Sequence, residues 1–263
     1  VKRPVRLAIQ LGVFAAAVGV WQLATDSANS PYFEPPSTIV TTIYDQWFSG
    51  PVSHLFLTSD ATANLLPSLG RMLGGWAAAS VIGIVIGIVI GRARVLGELT
   101  EPLVHFGRAM PAPMLVPVFL FVFKIGTPME VAAIIFGVIW PVLLNTIDGA
   151  RNVNPRYMET ARAFRLPARQ RLTRIILPSA APKIFAGLRL AISLALVMMI
   201  VSEFVGSTDG IGREELVAET EFNVAVMWAV IVLLGLLGVV LNAIFGLLER
   251  ELVSWQSGSR TAA

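Results

Sequence analysis

Long apolar runs separated by short polar stretches organise the chain. The first, Leu7 to Ala24, follows Lys2, Arg3 and Arg6 and can cross a bilayer at about 1.5 Å of rise per residue. The same pattern suits a signal peptide; the run is longer than a typical signal core and lacks a clear A-x-A site, which favours an uncleaved first transmembrane helix. Further spans are expected at about Gly70 to Ile90, Pro102 to Phe123, Val131 to Ile147, Ile184 to Val205 and Val224 to Leu248. Between the first two, PYFEPPS from Pro31 to Ser37 reads as a rigid turn. Ser37 to Phe48 reads as a short surface helix with Ile39, Ile43 and Trp47 on one face.

Within the spans, small and helix-breaking residues carry most of the information. Gly70/Gly74 and Gly83/Gly87 form two i, i+4 pairs, a spacing that lets helices approach closely in lipid. Pro111, Pro113 and Pro117 interrupt the third span. Carbonyls freed in this way are tolerated in a membrane only beside protein or a water-filled path, so this span is a candidate pathway helix. Trp140, Pro141 and Asn145 lie in the inner half of the fourth span. Ser193 and Met198 on the fifth could line a path, although Met198 and Met199 also suit packing. Glu203, just before the loop carrying Gly206, Gly210 and Gly212, is a candidate for an outer gate or for a pair with Arg213. His105 and Arg108 read as interfacial.

The one substantial polar segment between spans is Asn154 to Pro178, NPRYMETARAFRLPARQRLTRIILP. Asn154 can accept from the free N–H groups of a helix start, and Pro155 fits the first helical position. Tyr157, Ala161 and Phe164 fall at i, i+4, i+7 and should form one apolar face. Leu166 precedes Pro167, which should break the helix there. A second short helix then carries Leu172, Ile175 and Ile176 on one side.

Composition sharpens this picture. Of 263 residues 55% are hydrophobic and 14% charged, as a polytopic membrane protein requires. The formal charge of +3 has its explanation in topology, not in nucleic acid. Lys and Arg concentrate near both termini, at Arg92 and Arg94, and from Arg151 to Lys183; Lys124 and Arg213 alone fall on the other side, which puts both termini in the cytoplasm. With no Cys and only His54 and His105, a thiolate or histidine-rich metal site is not expected. None of the three lysines stands in a Gly-x-x-x-x-Gly-Lys context, so ATP hydrolysis cannot reside in this chain.

Glu159, Ala161, the turn near Arg165, Ile175, Leu177 and Pro178 resemble the "EAA" loop of permease subunits of bacterial ATP-binding-cassette importers. Two positions depart from the pattern: Thr160 replaces an Ala, and Arg165 replaces the Gly, so that Leu166-Pro167 is expected to make the turn. The stretches PPSTIVTTIYDQW, RAMPAPMLVPVFLFVFKIG, PVLLNTIDG and SEFVGSTDGIG are similar to the branch serving nitrate, sulfonate, taurine, bicarbonate and thiamine-precursor uptake.

The resemblance implies an all-α, six-helix membrane protein of the type I importer-permease (MetI-like) architecture, in the bacterial inner membrane. It also implies a homodimer with two ATPase subunits and a separate extracytoplasmic binding protein. ATP and Mg would be held by the ATPase, with no cofactor in this chain. Tyr157, Met158, Glu159, Thr160, Ala161, Phe164, Arg165, Leu177 and Pro178 would couple to the ATPase. The organisation expected is a first helix over 1–25, an extracytoplasmic segment over 26–69, a core over 70–250 with the coupling loop at 151–183, and a tail over 251–263. The residues leave two other classes open, an ion-gradient-driven transporter and a membrane enzyme. The first usually places ionisable groups at the membrane midplane and the second clusters them at the interface; neither pattern is visible.

Overall fold

The computed structural model describes residues 3–28 and 30–252. Lys2, Arg260 and nearly all of the expected 251–263 tail lie outside the described residues. Every regular element among the described residues is helical: α1 (Arg3–Ala28), α2 (Pro36–Ile43), α3 (Leu66–Arg92), α4 (Arg94–Ala109), α5 (Val116–Phe123), α6 (Thr127–Arg151), α7 (Pro155–Ala163), α8 (Ala168–Arg171), α9 (Leu177–Gly206), α10 (Ile211–Thr220) and α11 (Val224–Leu252). Five helical stretches, built on α1, α3, α6, α9 and α11, are long and apolar enough to cross a membrane; the bent pair of α4 with 112–123 makes a sixth when counted as one broken span. The chain forms two compact units, residues 1–67 with 209–236 and residues 68–208 with 237–263.

In the second unit α6 is the centre. Gly75, Gly83, Gly87 and Gly91 of α3 face Ile134, Val142, Thr146 and Ala150 in order, so α3 and α6 run parallel and in step. A Cβ on Gly87 would stand 2.6 Å from that of Thr146, so only hydrogen lets the two helices approach this closely. Gly83 and Gly87 therefore pack as expected. Gly70 and Gly74 meet nothing within 4 Å; Gly75, on the face turned to α6, replaces that pair in the contact. On its other side α6 lies antiparallel to α9, with Gly149 against Ala180, Asn145 against Gly187, Gly137 against Met198 and Met129 against Gly206.

The expected third span, Pro102 to Phe123, is not one helix. It comprises α4, which begins at Arg94, a tight turn at Ala112–Leu115 and α5, with an 85° bend. Pro111 cannot continue a helical ladder, and Met110 before it is driven to extended geometry, φ −69° and ψ 126°. Pro117 sits in the first turn of α5, where a missing N–H costs nothing. Arg92 ends one helix and Arg94 begins the next, with Ala93 alone between them.

The first unit is held by aromatic and amide contacts. Trp21 and Trp228 approach to 5.5 Å between ring centroids, and Trp228 Nε1 donates to the Tyr32 carbonyl at 3.0 Å. Gln22 meets Ser37 twice, accepting from its N–H and donating to its hydroxyl. The helix beginning at Pro36 runs on through a wide turn at Tyr44–Phe48, with Ile39 and Trp47 buried and Ile43 half-buried.

Candidate functional site

The loop after α6 begins as its sequence suggests. Asn154 Oδ1 accepts the Arg156 N–H at 3.0 Å, and Pro155 opens α7. Its end differs from the expectation. The turn is made at Arg165 itself, in the left-handed region at φ 49°, rather than at Leu166-Pro167. The Leu166 N–H donates to the Ala161 carbonyl and the Arg165 N–H to that of Arg162, the paired bonds that close a helix ordinarily ended by glycine. Arg165 thus performs the backbone role of the missing Gly and accepts the Cβ strain that Gly avoids.

The faces of α7 also depart from the expected stripe. Met158 and Ala161 are buried, while Tyr157 is 57% and Phe164 76% exposed. The helix is only nine residues long, and Phe164 lies at its cap. Met158 joins Ala150, Val153 and Ile176 in a buried cluster, with Leu172 and Ile175 packed against it. Glu159, Thr160 and Arg165 are exposed beside the two aromatics. The second short helix is not separate from the fifth span: helix continues from Ala168 to Gly206 through a wide turn at Leu172–Ile176. Leu177 and Pro178, the first residues of α9, therefore lie within one continuous helical stretch from Ala168 to Gly206. The widened turn contains Arg174, whose carbonyl the Pro178 ring would otherwise strike.

At the opposite end of α6, α3 and α9 each contribute a charged side chain to meet one from α6. Arg71 Nε lies 2.8 Å from Glu130 Oε2, and Arg71 Nη2 lies 2.8 Å from Glu203 Oε1. Ser68 Oγ donates to the same Glu203 oxygen at 2.7 Å. Arg71 is 6% exposed, Glu130 0% and Glu203 1%. Glu203 was legible as a candidate, but Arg71 and Glu130 were missed. The available signal was a lone cation in the first turn of one span and a lone carboxylate at the start of another, each of which needs a partner in an apolar bundle.

The remaining pathway candidates are scattered. Met198 is buried against Gly137, Asn145 donates to the Pro141 carbonyl at 2.8 Å, and Ser193 accepts from Asn242 at 3.1 Å. Pro111, Pro113 and Pro117 are exposed, whereas Gly206 is buried near Leu120 and Met129. Glu203 and Gly206 fall together at the ion cluster's end of α9, and Met198 meets Ala112, between Pro111 and Pro113, at Gly137. A cavity of about 210 Å³ opens between α4 and α6, lined in part by Glu101, His105, Asp148 and Arg151. In the first unit Glu214 accepts from Gln46 at 2.7 Å and Trp47 at 3.3 Å. Burial pushes its carboxyl up from the ordinary value, against the pull of those two donors.

Residues 79–254 match the family described as "Binding-protein-dependent transport system inner membrane component". The chain belongs to this permease family. The permease is 33% identical over 186 residues to a bicarbonate transport system permease protein of Synechococcus elongatus, covering 70% of this chain and 67% of that protein. It is 27% identical over 243 residues to a nitrate import permease protein of Leptolyngbya laminosa, covering 91% and 85%. In fold it is similar to a chain of the MetNI methionine ABC transporter in inward-facing conformations, with TM-score 0.60, 17% identity, and coverage of 72% of this chain and 95% of that one. The permease is thus a multi-pass plasma-membrane component of an ATP-binding-cassette importer of the nitrate, sulfonate and bicarbonate branch, which replaces the gradient-driven alternative.

Proposed function

We propose that two copies of this permease form the path for a small anion, of the nitrate, bicarbonate or sulfonate class, delivered by an extracytoplasmic binding protein and driven by cytoplasmic ATPase subunits docked on α7. The observation that carries the reading is the pair of aromatic side chains, Tyr157 and Phe164, left exposed on the polar loop between two spans. Aromatic surface of this kind, flanked by arginines, suits the core of a protein interface. Met158 and Ala161 fix α7 to its own protein, so force applied at Tyr157 and Phe164 reaches the ends of α6 and α9 directly. In this reading α7 and both termini face the cytoplasm, as the distribution of Lys and Arg supports.

Permease co-expressed with its ATPase and placed in proteoliposomes tests this directly. Labelled bicarbonate or nitrate should enter when ATP is supplied to the ATPase side and binding protein to the other. Uptake that continues without ATP and collapses with an ion gradient would contradict the proposal.

A further inference from the structure

Arg71, Glu130 and Glu203 stand on three different helices, and two of these run straight to the loop that bears α7. From Glu130 to the end of α6, and from the start of α9 to Glu203, the helices span roughly 30–40 Å at 1.5 Å per residue. The ion cluster and α7 therefore sit at opposite ends of the same two rods. The surroundings of the cluster are dry: Ser68, Met129 and Ser202 are each 0% exposed.

A buried ion cluster is a poor means of adding stability, because desolvation offsets most of the Coulomb attraction. Its effect on conformation is sharper. Charges in contact are satisfied, and charges separated and hydrated are satisfied, but charges pulled apart while still dry are not. Helix ends joined in this way have two stable arrangements, closed and open to water, and none between. Transport that alternates access between two sides requires an element of that kind at the end away from the motor.

Building on the importer reading, we propose that Arg71, Glu130 and Glu203, with Ser68, are the lock that closes the translocation path at the end opposite α7. ATP-driven movement of α6 and α9 breaks the lock once per cycle. The substrate needs no direct contact with these side chains; they hold the helices and act through them. In the locked state the permease resists ATPase closure until the loaded binding protein engages, which keeps hydrolysis low between deliveries.

The test uses the complete complex of permease, ATPase and binding protein. Cys is absent from this chain, so Ser202→Cys introduces its only thiol, next to Glu203. In the otherwise native complex this thiol should resist a membrane-impermeant maleimide while nucleotide is absent. Adding Glu130→Gln, which keeps the shape but removes one ion pair, should speed labelling at least tenfold. It should also raise hydrolysis without binding protein at least threefold. Arg94→Gln, which removes the exposed pair with Glu98, should change neither readout. An assembled Glu130→Gln complex with native labelling and native basal hydrolysis would overturn the lock. Should Glu130→Gln fail to assemble, Ser68→Ala removes only the hydroxyl donor to Glu203 and decides by the same two readouts, with smaller expected rises. A native chain that recovers no ATPase would overturn the importer reading itself, and the lock with it.

Discussion

The two ends of α6 are built on opposite principles. At the α7 end arginines and aromatics face outward, with Tyr157 and Phe164 mostly exposed and a small cluster around Met158 anchoring the helix from beneath. At the other end an arginine and two carboxylates are almost wholly buried against one another. Both ends are rich in charge, so composition alone would not separate them. What separates them is burial: the side chains are open at the α7 end and closed off within the chain at the other. On α7 the aromatic side chains project from the chain, whereas the buried charges pair with one another across three helices.

Substitutions can break this contrast in graded ways. The largest effect on transport is expected from Ala161→Asp, because a carboxylate at a position 1% exposed would lift α7 from its seat. ATP-driven uptake should fall about 100-fold, or about 2.7 kcal/mol, with the chain still in the membrane. Native uptake in that variant would remove α7 from the coupling path. Arg71→Ala, leaving two buried carboxylates without their cation, should lower stability by about 3–5 kcal/mol, read as a drop in melting temperature in detergent. Gly87→Val should cost about 1–3 kcal/mol by the same measurement, since its Cβ would press on Thr146. Arg165→Gly should instead stabilise the loop by about 1 kcal/mol, by relieving the left-handed residue without disturbing the two bonds that close α7.

The smallest expected effect lies in the first unit and depends on pH. Burial raises the Glu214 carboxyl above its ordinary value of 4.5, so the folded state holds that proton more tightly than the unfolded state does. Stability from this group is therefore present at low pH and declines as pH rises through 4.5 toward the folded value. Glu214→Gln should flatten the decline in melting temperature over that window. An unchanged slope would mean that another group governs it.

Much of this molecule was legible in its sequence, and the misses share a cause. Apolar runs located the helices because lipid demands them, and Asn154-Pro155 marked the start of α7 because capping is local chemistry. Arg165 showed the limit of local rules: glycine is favoured in the left-handed region, but a paired set of backbone bonds can hold arginine there. The Gly70/Gly74 stripe failed because spacing identifies a smooth face without saying what lies opposite it. The ion cluster was hidden for a similar reason. Arg71, Glu130 and Glu203 are far apart in sequence, and only the packing of α3 and α9 on α6 brings them together. The α7 positions that match the EAA pattern could be picked out by motif, yet that Met158 rather than Tyr157 or Phe164 faces inward is set by Ala150, Val153 and Ile176, which lie outside the helix.

The most direct measurement is quantitative co-purification of the ATP-binding subunit with tagged permease in mild detergent. It would compare the native chain, a Tyr157→Ser/Phe164→Ser variant and Glu130→Gln. The account expects full recovery with the native chain and with Glu130→Gln, and at least tenfold loss with the loop variant, because the outward aromatics make the contact and the buried cluster does not. Equal recovery with all three, or loss with Glu130→Gln alone, would contradict the division of roles between the two ends.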